Sequence, residues 1–171
     1  MKAIPILILL FGSICAQAQS AGQKAELVVQ TGHSGLIASI AFSSDSKLIA
    51  SGSWDNTIKI WDVATGAQIR SLTGHTNSVT SVAFSPDAHF LASGSNDYTA
   101  RIWDVAKGEL IYTLSKHSMS VEAVAINRDG NVLATAGIDK LIVLWDLTSG
   151  REIRTMTGHG AGFRIAVQRS V

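Results

Sequence analysis

Residues 75–116 read HTNSVTSVAFSPDAHFLASGSNDYTARIWDVAKGELIYTLSK, and this stretch decides the fold. Its apolar runs are short, rich in β-branched and aromatic residues, and separated by turn signals such as Ser85-Pro86-Asp87. No segment offers the roughly 10 to 15 residues of helical periodicity that a parallel crossover requires. The stretch therefore predicts an all-β fold, with a four-stranded antiparallel meander over residues 79–84, 90–95, 99–105 and 109–114.

The same pattern recurs along the chain at one constant spacing, that from His33 to His75, which we call the repeat period. A period of this size is typical of a repeat architecture in which neighbouring units share a core. It predicts three complete units, residues 33–74, 75–116 and 117–158, and the beginning of a fourth. The phased landmarks are His33, His75, His117 and His159; Asp45, Asp87 and Asp129; Asp55, Asp97 and Asp139; Trp61, Trp103 and Trp145, each followed by Asp; and Gly66, Gly108 and Gly150.

Three motifs carry a resemblance to a known family: Gly-His before the first strand, which is Lys116-His117 in the third unit; Ala-Ser-Gly-Ser in the second strand of the first two units; and Trp-Asp ending every third strand. Gly74-His75, residues 92–95 and Trp103-Asp104 show them in the second unit. With them, residues 24–159 resemble the WD-repeat (WD40) β-propeller family. The resemblance implies blades at residues 36–73, 78–115 and 120–157 and an orphan outer strand at 26–30, within a repeat region of residues 19–159.

The ring of blades is expected to be incomplete. The sequence departs from the repeat after His159, so we interpret residues 160–171 as a divergent, disordered tail and the chain as truncated. A closed propeller has about four to eight blades, so three blades leave two faces uncovered. We expect the isolated chain to be oligomeric, aggregation-prone or partly folded, because large exposed apolar patches mark interfaces or aggregation sites. The residues expected on the uncovered faces are Ile40, Phe42, Val124 and Ile126.

Residues 1–18 have the layout of a secretory signal peptide. Lys2 is followed by an apolar run over residues 3–11 and by the small-residue site Ala16-Gln17-Ala18. The run is about half the length of a membrane span, and Ile14 before Cys15 disfavours lipoprotein processing. We therefore expect cleavage near Ala18, export to the periplasm or the extracellular space, no membrane attachment afterwards, and a secreted bacterial member of the family.

Charge and cysteine content exclude several function classes. The formal net charge is +1, so the chain lacks the basic field that attracts nucleic acid. Cleavage after Ala18 removes Cys15, the single cysteine, and with it any disulfide, thiolate zinc ligand or cysteine nucleophile. Each repeat supplies one phased histidine and no second soft ligand, so we expect neither a metal nor a cofactor.

Recurring Ser, His and Asp residues are the components of a nucleophilic triad. An active site is normally built once, whereas this set occurs in every repeat, so we predict a structural role and no enzymatic activity. The family resemblance implies a hydrogen-bonded chain of Trp, Ser or Thr, His and Asp in each blade. We call these sets tetrads: His33, Ser51, Asp55 and Trp61; His75, Ser93, Asp97 and Trp103; His117, Thr135, Asp139 and Trp145.

The resemblance also implies a scaffold that binds a protein or peptide at one rim of the blades. Trp54 has no counterpart at the repeat period, and tryptophan is enriched at binding hot spots. Two alternatives stay open: the exported N-terminal repeat portion of a larger enzyme such as a caspase-like peptidase, and a degenerate gene fragment. The implied rim residues are Leu36, Ala38 and Trp54; Ser78, Thr80 and Asn96; Ser120, Glu122 and Ile138.

Overall fold

The computed structural model describes residues 32–158, which form three four-stranded antiparallel sheets in chain order. The predicted signal peptide, the orphan strand at 26–30 and the tail at 160–171 lie outside the described residues. No helix within residues 32–158 is long and apolar enough to cross a membrane. The first blade comprises β1 (Ile37–Phe42), β2 (Leu48–Ser53), β3 (Ile58–Asp62) and β4 (Gln68–Leu72); the second β5 (Val79–Phe84), β6 (Phe90–Ser95), β7 (Ala100–Asp104) and β8 (Glu109–Leu114); the third β9 (Val121–Ile126), β10 (Val132–Gly137), β11 (Ile142–Asp146) and β12 (Glu152–Met156).

Each blade is a meander, which confirms the predicted fold class. In the second blade, β7 begins and ends one residue inside the predicted range 99–105. The flanking residues make turn hydrogen bonds instead: Ser95 N donates to Thr99 O at 3.2 Å, and Val105 N donates to His89 O at 3.0 Å. The turn between β5 and β6 is closed by Ser85, whose Oγ accepts from Phe90 N at 2.9 Å.

The hydrophobic core lies between blades. One cluster joins the first blade to the second, and another joins the second to the third. Close approach depends on glycine in the second strand of the first two blades: a Cβ on Gly52 would lie 2.6 Å from Val79 Cγ1, and one on Gly94 2.9 Å from Val121 Cγ1. Each buried aliphatic side chain contributes roughly 1.5–3 kcal/mol, so contacts between blades supply much of the stability.

Every blade therefore has a leading face, which points to the preceding blade, and a trailing face, which points to the following one. On the leading face of the first blade, Ile40 is 65% exposed, whereas the equivalent Val82 and Val124 are 6% and 3% exposed. On the trailing face of the third blade, Met156 is 37% exposed, whereas the equivalent Leu72 is 1% exposed. Two open faces are thus present among the described blades, as predicted.

The assignment of Val124 and Ile126 to an open face was wrong. Both pack in the core between the second and third blades. The physical reason is that first-strand side chains on this side of the sheet point to the preceding blade, and the third blade has one. Ile40 occupies the same position in the first blade, where the described residues provide no preceding blade.

Candidate functional site

The second tetrad forms a continuous chain of hydrogen bonds. Trp103 Nε1 donates to Ser93 Oγ at 2.8 Å, and the same hydroxyl lies 2.8 Å from His75 Nε2. His75 Nδ1 lies 2.7 Å from Asp97 Oδ2. A carboxylate only accepts, so the imidazole proton sits on Nδ1 and Nε2 accepts the serine proton. The chain connects the loop before β5 to β6 and β7.

The first tetrad has the same geometry. Trp61 Nε1 donates to Ser51 Oγ at 2.8 Å, and Ser51 Oγ lies 2.7 Å from His33 Nε2. His33 Nδ1 lies 2.9 Å from Asp55 Oδ2. The tetrad therefore links the loop before β1 to β2 and β3.

The third tetrad replaces serine by threonine without changing the pattern. Trp145 Nε1 donates to Thr135 Oγ1 at 2.9 Å, and Thr135 Oγ1 lies 2.9 Å from His117 Nε2. His117 Nδ1 lies 3.0 Å from both carboxylate oxygens of Asp139. The structure thus brings together all four members of each predicted tetrad.

Electrostatics hold the second tetrad in one protonation state. Burial by itself would raise the pKa of Asp97, but hydrogen bonds from Thr99 and His75 outweigh it and lower the pKa to about 2. Burial lowers the pKa of His75 from its usual 6.5, against the opposing effect of Asp97. At neutral pH the pair is therefore a carboxylate and a neutral imidazole.

Sequence reasoning missed a fifth member of the network. Thr57 Oγ1 donates to Asp55 Oδ1 at 2.6 Å, and Thr99 Oγ1 donates to Asp97 Oδ1 at 2.7 Å. The signal was present, because the two threonines are separated by the repeat period. The equivalent residue in the third unit is Leu141, which has no hydroxyl and bonds Asp139 only through its backbone N–H.

The tetrads are placed inside the blades and not in a cleft. Ser93 and Thr135 are 0% exposed, so their hydroxyls are closed to a substrate. No group of three or more His, Cys, Asp or Glu within residues 32–158 could hold a metal ion. A cleft between the first two blades, about 250 Å³ in volume, contains no tetrad residue; its lining is Leu48, Ile60, Ile69, Arg70, Ala88, His89, Val105 and Ala106.

The implied rim residues are brought together in pairs at one end of each blade. Trp54 N donates to Leu36 O at 2.9 Å, which joins the loop before β1 to the β2–β3 turn. The bonds from Asn96 N to Ser78 O and from Ile138 N to Ser120 O have the same length, 2.9 Å. We use "rim" for this end of the blades.

The rim is accessible in the first and third blades; it is apolar in the first, and in the third it combines Ile138 with the half-buried Ser120 and the charged Glu122. Leu36 is 64% exposed, Trp54 57% and Ile138 49%. Ala38 and Glu122 are also exposed.

The second blade presents a more polar rim, and one of its predicted rim residues is already engaged. Ser78, Thr80 and Asn96 are half-buried. The Thr80 hydroxyl donates to Val121 O in the third blade, so it serves the contact between blades.

Sequence reasoning missed two further exposed apolar residues of the rim. Tyr98 is 52% exposed and Met119 46% exposed. Tyr98 lies in the same turn as Asn96, and Met119 lies in the loop that leads to Ser120. Nothing in the repeat period marks either residue, because their equivalents in the other units are of different types.

The repeat geometry agrees with a comparison against protein-family models. The model described as "WD domain, G-beta repeat" matches residues 25–62, 66–104 and 108–146, which is more than half of the chain. The chain belongs to the WD40 family. Each match ends at a Trp-Asp pair, and the second and third matches begin at the glycine before an outer strand, Gly66 and Gly108.

Curated WD40-type relatives match only in part. A segment of 58 residues is 40% identical to the periodic tryptophan protein 2 homolog of Schizosaccharomyces pombe, covering 29% of this chain and 7% of that protein. A segment of 41 residues is 46% identical to Protein Mut11 of Chlamydomonas reinhardtii, covering 24% of this chain and 11% of that protein. Both relatives are eukaryotic, so they give no support to the secreted bacterial type inferred from the sequence, or to its truncation.

Solved WD40 structures share the arrangement of the blades. The structure titled "Structure of U3-55K" superposes with a TM-score of 0.73 at 26% sequence identity, and the match covers 75% of this chain and 41% of that chain. A crystal structure titled as RRP9 WD40 repeats gives the same values. This chain thus spans less than half of the structure that it resembles.

Proposed function

We propose that this WD40 protein is a non-enzymatic scaffold that binds a protein or peptide through its rim. The observation that carries the proposal is the exposure of Trp54, 57%, beside Leu36, 64%. A backbone hydrogen bond joins the two residues, so two exposed apolar side chains lie at the same end of the first blade. Preorganised aromatic side chains bind with little loss of conformational freedom, which makes Trp54 the expected anchor.

The tetrads support a structural role and not catalysis. Their hydroxyls and imidazoles bond one another in every blade and are enclosed in the sheets. A hydrolase would need a nucleophile beside a substrate cleft with donors for an oxyanion. The near-neutral net charge of +1 favours a protein partner over nucleic acid.

A random peptide library displayed on phage tests the rim. Peptides selected on the intact chain should lose at least about 2 kcal/mol of binding, roughly thirtyfold in affinity, when Trp54 is replaced by alanine. Val63→Ala is the matched control, since Val63 is 43% exposed but lies in the β3–β4 turn. Selected peptides that bind Trp54→Ala as well as the intact chain would contradict a rim site.

We further propose that residues 1–18 direct export of the chain. The support is the order of Lys2, the apolar run at 3–11 and the Ala16-Gln17-Ala18 site in the sequence. The repeat region contains no cysteine, which suits an oxidising compartment.

A further inference from the structure

Two side-chain hydrogen bonds cross between blades at equivalent positions. Arg70 Nη2 of the first blade donates to Ala106 O of the second at 2.9 Å. Tyr112 Oη of the second blade donates to Thr148 O of the third at 2.8 Å. The donors are one repeat period apart, and so are the acceptors. At both internal junctions, a side chain of the outer, fourth strand thus reaches the turn between the third and fourth strands of the following blade, which we call the β3–β4-type turn. We call this contact the latch.

The repeat contains one more donor and one more acceptor of this kind. Arg154, in β12, is the third equivalent of the donor, and Ala64, in the β3–β4 turn, is the equivalent of the acceptor. Both residues are exposed. Arg154 pairs through its backbone with β11, but within residues 32–158 its side chain has no hydrogen-bond partner, and no residue donates to the Ala64 carbonyl. The third latch is therefore present as two unused halves at opposite ends of the array.

The surroundings of the glycine in each β3–β4-type turn also differ between the first blade and the other two. A Cβ on Gly108 would lie 3.1 Å from Arg70 Cδ, and a Cβ on Gly150 would lie 2.7 Å from Tyr112 Cγ. A Cβ on Gly66 would meet nothing within 4 Å. The turn of the first blade therefore offers the surface that an outer strand covers in the other two blades.

The two open faces carry apolar residues at the same repeat positions as the apolar residues that are buried at the internal junctions. On the leading face of the first blade, Ile37 is 56% exposed, whereas the equivalent Val79 is 0% exposed. On the trailing face of the third blade, Ile142 and Leu144 are half-buried, and their equivalents in the other blades are fully buried. The internal junctions thus show what kind of surface fits each open face: another blade of this repeat.

We propose that the trailing face of the third blade binds the leading face of the first blade in a second copy of this chain, with Arg154 donating to the Ala64 carbonyl. Two such head-to-tail junctions join two copies into six blades, within the range of about four to eight found in closed propellers. The proposal does not depend on peptide binding, since the rim lies at the ends of the strands and the junction on the sheet faces.

The junction between copies differs from the internal ones at two positions. Ala136 stands where Gly52 and Gly94 admit the valines of the next blade, so its methyl group narrows the space for Ile37. Ala123 stands where a serine hydroxyl accepts a backbone N–H of the next blade, as in the 3.1 Å bond from Val82 N to Ser39 Oγ. Because of both differences, we expect association to be weaker than the internal packing and to depend on concentration.

A complementation experiment tests the head-to-tail geometry with purified full chains. Ile40→Asp blocks the leading face of every copy and Met156→Asp blocks the trailing face, so each variant alone should be monomeric in sedimentation velocity. Mixed together, they should form a 1:1 dimer, because one retains a trailing face and the other a leading face. Leu110→Asp is the matched control: Leu110 is 42% exposed, and it lies in β8 of the second blade, which has no open face.

Two further variants test how the latch and the methyl group of Ala136 affect the affinity of self-association. Arg154→Ala should weaken self-association at least about tenfold, with Arg151→Ala as the control of equal charge. Ala136→Gly should strengthen it, because it restores the glycine of the other two blades. Circular dichroism checks that each variant retains its sheets.

The proposal is overturned if the intact chain and Ala136→Gly are both monomeric at the highest soluble concentration. It is also overturned if Met156→Asp alone still dimerises, since that outcome means that two leading faces pair with each other. A monomeric chain that associates only after residues 159–171 are deleted would instead assign the open face to that segment.

Discussion

His75 Nδ1 lies 2.7 Å from Asp97 Oδ2, in a pair whose side chains are 1% and 5% exposed. Both pKa values in this pair are lower than usual: burial lowers that of His75, and hydrogen bonds from Thr99 and His75 lower that of Asp97 to about 2. The folded protein therefore favours the neutral imidazole and the charged carboxylate, and this makes its stability depend on pH.

Acid should destabilise the protein in two steps. The folded pKa of His75 is below its usual 6.5, so the unfolded chain binds more protons and stability declines as the pH falls below about 6.5. The folded pKa of Asp97 is about 2 against the usual 3.8, so its contribution is complete above pH 3.8 and is lost as the pH falls towards 2. Urea midpoints at pH 7.5, 5 and 3 should decrease in that order. A constant midpoint over this range would show that the pair is not coupled to folding.

Replacing His75 by alanine should lower the free energy of unfolding by about 1–3 kcal/mol, because the Ser93 hydroxyl and the Asp97 carboxylate lose a buried partner. Urea denaturation measures the change. His89→Ala is the control, since His89 is exposed and lies outside the repeat period. Equal effects of the two substitutions would contradict a structural role for the tetrad.

Introducing the missing hydroxyl at Leu141 tests the fifth member of the network. Leu141→Thr should supply Asp139 with the hydrogen bond that Thr99 gives Asp97 at 2.7 Å. A new hydrogen bond to a charged group contributes roughly 1.5–3 kcal/mol, and the lost leucine packing offsets part of it. Thr99→Val, which removes the hydroxyl at nearly constant volume, should shift the urea midpoint in the opposite direction. Two shifts of the same sign would refute the proposed role.

Export predicts a defined N-terminus. Mass spectrometry of chain recovered from outside the cytoplasm should find that it begins near Gln19, because the small-residue site ends at Ala18. Ala18→Arg should block processing. An intact Met1 on the recovered wild-type chain would falsify the cleavage.

Much of the fold was predictable because its signals are local. Ser85 and Asp87 close a turn whatever lies around them, and their bonds to Phe90 N and His89 N are seen as expected. The tetrad partners are distant in sequence; the constant repeat period marked their positions, and the family resemblance implied that they bond to one another. The hydroxyl of Thr99 has the same period as Thr57, but it lies outside the four-residue pattern that the family resemblance implies, and only the structure shows its bond to Asp97.

The sequence by itself determined the meander and the repeat, since turn chemistry, strand alternation and spacing depend on the chain alone, and its family resemblance implied the tetrads. Only the tertiary structure decided which of several equivalent residues are buried. Ile40, Val82 and Val124 occupy the same repeat position, but Ile40 is 65% exposed and Val124 3%. The physical reason is that burial depends on the neighbouring blade, so identical local patterns acquire different surroundings according to their place in the array.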